Sequence, residues 1–501
     1  MLTISENANP NYLANICKIE ELYPIEGADN LLKTTIGGYD LVVSKDLQIG
    51  DIVVYFPVES CICEKFLSRN NLYEFAEGHR NINYELLQYL IIKMNKENDA
   101  DVAKVLMNEV RSMCGMFNKH GRVRMIKLCG QYSMGFVIPV SSLENAWNDL
   151  FGYDFEQHVG ESFDTVCGEK LCWKYIPATF NRIKPINSSD SQWKKLMRKT
   201  IKRFNSLIKG QFEFHYNTKK LEEEIDILTP ETDVTLTVKI HGVSVILSNV
   251  LWRRKLNVWE KIKKYFGGKV EIEEYKHVYA SRKSIKDKEI NPNCNSFYDY
   301  DIWGDVNKVF SSFITPGMTV YGEIVGYITG TKRCLQKDPD YDYGCEYGQW
   351  KFMPYRITLT AKDGSKVDLS VVEVMDWTNY LLETFGEEHA YANYKIKDVL
   401  MQMELMYNGK LSEIYPDINK DDEDFTKSLF QRFKEDNKWL LMEKDEPLCK
   451  NKVPREGIVI RINDDKLSRA WKLKSVRHLE LEAKKHDLGE TDIEENSGIE
   501  I

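Results

Sequence analysis

A lysine followed two positions later by a histidine-glycine pair is the part of the chain best suited to covalent chemistry. Residues 237–245 read Thr-Val-Lys-Ile-His-Gly-Val-Ser-Val, inside a run from 234 to 250 where apolar residues alternate with polar ones as in a β-strand. A lysine in a mostly buried strand is costly unless it is paired or functional. Its amine becomes a nucleophile when burial or nearby cations suppress its charge. Lys239 is therefore a candidate nucleophile, and Gly242 would let the backbone approach a ligand closely. The alternative is a surface lysine before an ordinary β-turn.

Two carboxylates, an arginine and a lysine pair could take part in the same chemistry. Glu323 lies in the apolar strand pattern Tyr-Gly-Glu-Ile-Val-Gly, and Glu456 starts the pattern Glu-Gly-Ile-Val-Ile-Arg. Lys472 and Lys474 are two residues apart in Trp-Lys-Leu-Lys-Ser, so in a strand they point to the same face. Arg282 follows the strand pattern Val-Tyr-Ala-Ser. Each segment taken alone is also compatible with a purely structural role.

The composition predicts a soluble, multidomain protein of the cytoplasm. A chain of 501 residues exceeds one typical domain, and its mean hydropathy is -0.44. It contains no run of about 18 apolar residues, so we expect no transmembrane helix, and its first residues lack the pattern of a secretory signal. Its 11 cysteines include no Cys-x-x-Cys pair and are read as reduced thiols. The net charge of -9 argues against a simple DNA-coating protein.

The N-terminal part, residues 1–180, is predicted to be a small barrel interrupted by helices. Short strand patterns separated by Gly and Asp turns are typical of such barrels, and apolar residues at helical spacing predict a helical insertion at about 80–118. Arg122 and Arg124 alternate with apolar residues on a predicted strand that has Lys127 at its end. These charges either bind phosphates or protect a solvated edge strand against aggregation, and both interpretations stay open.

The rest of the chain divides by composition into a basic linker, a β-rich domain and an acidic tail. Residues 181–215 combine a break with a basic helix, which is either a solvated face or a nucleic-acid contact. Its basic residues are Lys194, Lys195, Arg198, Lys199, Lys202, Arg203 and Lys209. Residues 216–485 are predicted to be β-rich with a helical insertion at about 376–445, and residues 486–501 form the acidic tail. The predicted fold class is α+β.

The order of these motifs resembles that of the covalent nucleotidyltransferases, which include RNA ligases, DNA ligases and mRNA capping enzymes. The series runs Lys-Ile-His-Gly, Ser-Arg-Lys, Tyr-Gly-Glu-Ile-Val-Gly, an aromatic strand at 352–357, Glu-Gly-Ile-Val-Ile-Arg and Lys-Leu-Lys. The histidine of the first motif is similar to that of nick-sealing and editing RNA ligases. The N-terminal Pro-Ile-Glu-Gly-Ala-Asp and the closing Lys-Leu-Lys-Ser look like phage-type RNA ligases with an N-terminal OB domain. The resemblance covers most of the chain. It implies an OB-like β-barrel followed by an antiparallel, β-rich adenylyltransferase domain.

The resemblance also implies a role for each motif residue. Lys239 would attack the α-phosphorus of ATP and hold AMP through a phosphoramide bond, while Lys472 and Lys474 would contact the α-phosphate. Glu456 would bind a divalent metal, Mg²⁺ or Mn²⁺, or the nucleotide beside it, and Glu323 would hold the ribose or a metal-bound water, so both are expected at the metal. The other expected nucleotide contacts are Ile240, Gly242, Arg282 (which would touch AMP or the RNA 3′ end) and Tyr355, which would stack on adenine with Phe352 as second choice.

Four residues, at three sites, depart from close relatives in that family. Val243-Ser244 follows the glycine where Thr-Asn is common, so no contact by an asparagine amide is expected there. Val238 stands where some relatives carry glutamate, so no side-chain contact to the adenine amino group is expected. Arg356 stands where an acidic residue is common, and the sequence offers no physical reason for it.

The sequence therefore predicts an ATP-dependent RNA ligase that joins 3′-OH and 5′-phosphate ends, at nicks in duplexes, as a monomer and away from membranes. The rivals are a DNA ligase and a non-catalytic OB-fold RNA-binding protein. The first motif lacks Lys-x-Asp-Gly-x-Arg, and 27 residues follow Lys474 (501 minus 474), too few for a C-terminal OB domain. Both observations disfavour a DNA ligase, and the second also disfavours a capping enzyme. Retention of every charged motif residue disfavours the non-catalytic protein.

Overall fold

The structure is a computed structural model. It describes residues 1–176, 207–388, 394–435, 443–463 and 469–488, apart from short gaps at 7, 98, 216–217, 222–223, 225–226, 255, 292–293, 295–297, 299 and 338. The chain divides into two units, Met1–Ile176 and Pro177–Ile501. Most of the predicted basic helix, and the acidic tail beyond residue 488, lie outside the described residues and stay predictions.

Short strands dominate the first unit. They are β1 (Leu2–Thr3), β2 (Ala14–Lys18), β3 (Tyr23–Pro24), β4 (Leu31–Ile36), β5 (Tyr39–Ser44), β6 (Ile52–Pro57), β7 (Ser60–Ile62), β8 (Ile126–Leu128), β9 (Gln131–Ser133), β10 (Gly135–Pro139), β11 (Ser162–Phe163), β12 (Thr165–Val166), β13 (Glu169–Lys170) and β14 (Cys172–Lys174). The helices are α1 (Glu64–Arg69), α2 (Tyr84–Lys96), α3 (Ala100–Ser112) and α4 (Ser141–Ala146).

The core of the first unit lies against a four-stranded sheet in the order β10-β6-β2-β11. Phe56 on β6 and Ile16 on β2 are fully buried there, together with Phe66 on α1. A second sheet, β3-β4-β5, is a meander in which every pair is antiparallel. Helices α2 and α3 have a small core of their own around Leu90 and Val110, because each has one apolar face.

The strand predicted at 122–127, whose charges could either bind phosphates or protect a solvated edge, is shorter in the structure. Only Ile126–Leu128 form a strand, and Arg122 is 5 % exposed and makes two hydrogen bonds to Glu59, at 2.9 and 2.5 Å. A buried arginine needs a carboxylate partner, and residue 59 lies too far away in the sequence for strand periodicity to reveal it. Arg124 is half-buried and Lys127 is exposed, so these two alone keep a side chain near the surface.

The second unit contains longer strands. They are β15 (Lys219–Lys220), β16 (Asp233–Lys239), β17 (Val243–Arg253), β18 (Glu273–Ala280), β19 (Met318–Gly326), β20 (Trp350–Thr360), β21 (Lys366–Asp368), β22 (Leu405–Lys410), β23 (Gly457–Ile462) and β24 (Ala470–Lys474). The helices are α5 (Val258–Tyr265), α6 (Ile302–Phe310), α7 (Val371–Phe385), α8 (Ile396–Val399), α9 (Phe425–Glu435) and α10 (Val476–Asp487).

These strands form two five-stranded sheets, β15-β24-β23-β16-β22 and β18-β17-β19-β20-β21. The chain passes from one sheet to the other at residues 240–242, between β16 and β17. The largest apolar core contains residues of both sheets, among them Val238 and Val320, with Trp303 from α6. A second core packs α9 against β16, β23 and β24. The predicted helical insertion at 376–445 thus also contains a strand, β22, which pairs with β16.

The cysteines and the helices bear on two expectations from the sequence, namely reduced thiols and the absence of a transmembrane helix. All 11 cysteines, each of which lies in a described range, are unpaired thiols. Among the helices of the described ranges, none combines the length and the apolar character needed to cross a bilayer.

Candidate active site

Lys239 lies where the chain changes sheets. It is the last residue of β16 and pairs with Gly457 on β23. The following turn is held by two hydrogen bonds: the His241 backbone N–H donates to Tyr343 Oη at 2.6 Å, and Gln336 Nε2 donates to the Gly242 carbonyl at 2.7 Å. The continuous strand predicted for residues 234–250 is therefore broken just after Lys239. The half-buried side chain of Lys239 lies at the end of β16.

Gly242 is required by strand packing. A Cβ at this position would lie 2.9 Å from both Glu323 Cβ and the Ile324 carbonyl oxygen on β19. Gly242 therefore approaches the neighbouring strand β19 closely, and its predicted approach to a ligand stays a prediction. This packing brings the half-buried Glu323 next to the turn that follows Lys239.

Glu456 is the centre of the candidate site. Its carboxylate is 4 % exposed, and its Oε1 lies 2.7 Å from Lys239 Nζ and 3.6 Å from Lys474 Nζ. Its Oε2 lies 3.8 Å from His241 Nδ1. Burial alone would raise the pKa of Glu456, but Lys239, Lys474, His478 and His241 together lower it to about 2. The residue is therefore a carboxylate at neutral pH.

The predicted alternation of Lys472 and Lys474 is confirmed. β24 pairs antiparallel with β23, placing Lys474 opposite Gly457, while the intervening Leu473 is 3 % exposed in the core. The pKa of Lys472 lies well below its ordinary value, first because of burial and then because of Lys474, Arg282, Lys239 and Lys220. These cations therefore surround one region, which suits an anionic ligand such as a phosphate chain.

The remaining predicted nucleotide contacts differ in accessibility. Tyr355 is half-buried on β20, with its ring centroid 5.6 Å from that of His215. Phe352 is fully buried and packs on Phe310 at 5.0 Å, so it is not placed to stack on a base. Ile240 is 4 % exposed in the core, which leaves only its backbone for a ligand.

Arg356 has a structural explanation that the sequence did not provide. Its Nε and Nη2 donate to the two carboxylate oxygens of Asp368 at 3.0 and 2.9 Å, and its guanidinium lies 4.7 Å from the Tyr321 ring centroid. This bidentate pair joins β20 to β21. It is a structural ion pair within the sheet.

Sequence reasoning missed the contributions of α10 and β15. His478 Nε2 lies 3.9 Å from Glu456 Oε1, and Glu482 Oε1 lies 2.5 Å from Lys474 Nζ. Lys220 on β15 pairs with Lys472 in parallel register. The available signal was the helical spacing of Ser475, His478 and Glu482, which places them on one face of a helix that directly follows the lysine strand.

The donor groups fit a divalent metal. Glu456 Oε2 is buried without a hydrogen-bond partner among the described residues, which leaves it able to accept a further ligand. Its oxygens, together with Glu323, are the donors that Mg²⁺ and Mn²⁺ prefer. Ligand atoms of His241, Glu456 and His478 also lie within 4.8 Å of one another.

Comparisons with known proteins agree with the architecture. A family model described as an OB-fold domain matches residues 13–97. The chain is similar to solved structures of Naegleria gruberi RNA ligase: one with pyrophosphate has 16% identity and a TM-score of 0.49, over 95% of this chain and 99% of that one. A lysine-to-alanine variant of the same ligase, with ATP and manganese, has 16% identity and a TM-score of 0.47. The match covers 93% of this chain and 98% of that one.

A glutamate-to-alanine variant of that ligase, with AMP and manganese, has 15% identity and a TM-score of 0.48, over 94% and 98% of the two chains. No curated protein sequence matches the chain. The predicted fold class is confirmed: the chain has an N-terminal OB-fold domain followed by a β-rich domain with helices, an α+β architecture.

Proposed function

We propose that this protein is an ATP-dependent RNA ligase that joins RNA 3′-OH and 5′-phosphate ends at nicks in duplexes. One observation carries the proposal. Lys239 Nζ lies 2.7 Å from Glu456 Oε1, and Lys474 Nζ lies 3.6 Å from the same oxygen. Three motif segments that are distant in the sequence thus meet at one buried carboxylate, as the resemblance to covalent nucleotidyltransferases requires.

In the first step, the neutral amine of Lys239 attacks the α-phosphorus of ATP. The new bond joins the nitrogen to phosphorus, and the bond from phosphorus to the bridging oxygen breaks, so that pyrophosphate leaves with the electron pair. Glu456, with a pKa of about 2, is a weak base, so its role is to orient the amine. The Lys239 ammonium loses one proton to solvent before the attack, and the nitrogen loses a second proton to solvent as the phosphoramide forms.

The lysine pair stabilises the charge that develops during this attack. Lys472 and Lys474 share one strand face, so both side-chain amines can reach one phosphate, whose negative charge favours their protonated forms. Cations that are already in place stabilise the transition state more than the ground state, since they need not reorganise. Mg²⁺ or Mn²⁺, when bound near Glu323 and Glu456, would neutralise phosphate charge.

In the later steps, AMP passes from Lys239 to the RNA 5′-phosphate, and the RNA 3′-OH then displaces AMP. The half-buried Arg282 would contact AMP or the RNA 3′ end, and Tyr355 would stack on adenine. OB folds often bind nucleic acid, which makes the N-terminal domain a candidate RNA-positioning module.

A ligation assay with three nucleic-acid substrates tests the proposal. Full-length protein is incubated with ATP and Mg²⁺ or Mn²⁺ and with 5′-labelled strands: a nicked RNA duplex, untemplated RNA ends, and a nicked DNA duplex. We expect joined product mainly from the nicked RNA duplex, and none when Lys239→Ala replaces the wild type. Preferential joining of nicked DNA would favour a DNA ligase, and absence of product from every substrate would contradict the proposal.

A further inference from the structure

Helix α10 begins directly beside the candidate catalytic carboxylate. Ser475, its N-cap, accepts a hydrogen bond from the His478 N–H at 3.2 Å. Ser475 also donates its hydroxyl to the Arg455 carbonyl at 2.6 Å, and its backbone N–H donates to the Glu456 carbonyl at 2.9 Å. The first turn of α10 is therefore fixed relative to Glu456.

Glu482, two turns along α10, binds one of the candidate catalytic lysines. Its Oε1 lies 2.5 Å from Lys474 Nζ and 3.4 Å from His478 Nε2. Lys474 is thereby shared between two carboxylates, Glu482 and Glu456. Burial would raise the pKa of Glu482, but Lys474 and His478 outweigh it and hold that pKa well below its ordinary value.

His478 completes the contact between α10 and the site. Its side chain is 1 % exposed, and its Nδ1 lies 3.2 Å from Tyr341 Oη, which donates to the Pro454 carbonyl at 2.8 Å. Its Nε2 faces Glu456 Oε1 at 3.9 Å. The ring is thus held between the segment that precedes Glu456 and the two carboxylates.

We propose that Glu482 and His478 are positioning residues, which hold Lys474 and Glu456 in the arrangement needed for attack by Lys239. This inference rests on the adenylylation proposed above. A lysine ammonium on a flexible four-carbon stem has many conformations. Lys474 and the neighbouring Lys472 also repel one another. A second carboxylate, on a helix whose start is fixed, restricts Lys474 to one direction.

Single-turnover adenylylation of the full-length protein tests this role. Three quantities are measured for wild type, Glu482→Gln and His478→Asn. They are the rate constant at saturating ATP, the ATP concentration that gives the half-maximal rate, and the fraction of protein that becomes labelled. We expect the rate constant to fall about tenfold, which corresponds to about 1.4 kcal/mol, because Lys474 loses the partner that fixes its direction. The ATP dependence should change little, and Glu482→Asp, which keeps the charge, should restore part of the rate.

A control on the same helix separates positioning from general effects on α10. Glu480 pairs with Lys484 at 2.9 Å and, two residues before Glu482, lies on a different face of the helix, so Glu480→Gln should keep the wild-type rate constant. A purely structural role of Glu482 would reduce the labelled fraction while leaving the rate constant of the folded molecules unchanged. That result would overturn the inference.

A double-mutant cycle identifies the residue through which Glu482 acts. If Glu482 acts through Lys474, then Glu482→Gln should slow adenylylation in the wild-type background but have little further effect on Lys474→Ala. Independent, multiplicative effects would contradict that route. If wild-type protein itself takes up no label, the proposed function fails; if it is labelled and both α10 variants match its rate, only the positioning inference fails.

Discussion

Glu456 determines the electrostatic balance of the candidate site, because one buried carboxylate faces two lysines and two imidazoles. Its pKa is lowered from 4.5 to about 2 in the folded state. A carboxyl group with a lowered pKa adds stability above its unfolded pKa, and this contribution is lost as pH falls through the folded pKa. The relevant window is therefore between about pH 4.5 and pH 2.

Glu456→Gln should be less stable than wild type at pH 7, by on the order of 3 kcal/mol, because it leaves buried cations without their partner. The difference should shrink as pH falls through the window from 4.5 to about 2, where the wild-type carboxyl becomes protonated. Thermal unfolding midpoints of both proteins, measured at pH 7 and near the lower end of this window, provide the test. An equal difference at both pH values would show that the charge of Glu456 does not stabilise the fold.

The lysine pair gives a second prediction at this scale. Lys472→Ala and Lys474→Ala should each slow adenylylation about a hundredfold, since losing one contact to a developing charge costs about 3 kcal/mol. Arginine at either position should restore activity only partly, because it keeps the charge but lacks the compact geometry of an ammonium. Leu473→Ala, in the core, should mainly lower the unfolding temperature. Wild-type rates in both lysine variants would show that this strand is structural.

Residue patterns predicted the lysine pair but not its partners. A period of two is a local property of a strand, so Lys472, Leu473 and Lys474 could be assigned to faces from the sequence alone. The pairing of Arg122 with Glu59 and of Lys474 with Glu482 depends on how distant or consecutive elements fold together. No periodicity records such contacts.

At the scale of elements, the register of β23 and β24 holds the site together. Gly457 has a φ of 151°, and a Cβ there would lie 2.0 Å from the Leu473 carbonyl oxygen. Only glycine fits this position, directly after Glu456 and opposite Lys474. The strand pair therefore depends on one residue that has no side chain.

Gly457→Ala should impair both stability and adenylylation, because the backbone must shift where Glu456 and Lys474 meet. Strain at positive φ costs about 1–3 kcal/mol, and the clash with Leu473 adds to it. Gly267→Ala is the matched control: Gly267 has a φ of 79° with no atom within 4 Å of the added Cβ, so it tests strain alone. Equal losses in the two variants would argue against a special role for the β23–β24 contact.

Element prediction from the sequence succeeded for the largely buried strands at 234–250 and was incomplete elsewhere. The run at 234–250 forms β16 and β17, as expected from its alternation. The segment predicted as helical at 376–445 also contains β22. Each residue of β22, from 405 to 410, is exposed or half-buried. β22 is recognisable as a strand only through its pairing with β16, a contact that the segment does not encode by itself.

At the scale of the whole molecule, all the candidate catalytic residues belong to the second unit, and the OB-fold match belongs to the first. A polypeptide of residues 177–501 should therefore take up AMP but seal nicked RNA poorly, if the first unit positions RNA. It must begin before Leu207, because Leu207 forms a β-bridge with Trp252, and Gln211 donates hydrogen bonds to the carbonyls of Ala361 and Lys362. Gel assays of labelling and of sealing would test this, and full sealing by the shortened chain would contradict it.

The most direct test of the central claim is label transfer from ATP to the protein. Full-length protein is incubated with ATP radiolabelled on its α-phosphate and with Mg²⁺ or Mn²⁺, then analysed on a denaturing gel. The account predicts a labelled band that disappears in Lys239→Ala, because only the Lys239 amine supplies the nitrogen for the phosphoramide bond. Labelling by GTP in place of ATP would indicate a capping-type enzyme. Labelling that persists undiminished in Lys239→Ala would contradict the assignment of Lys239 as the nucleophile.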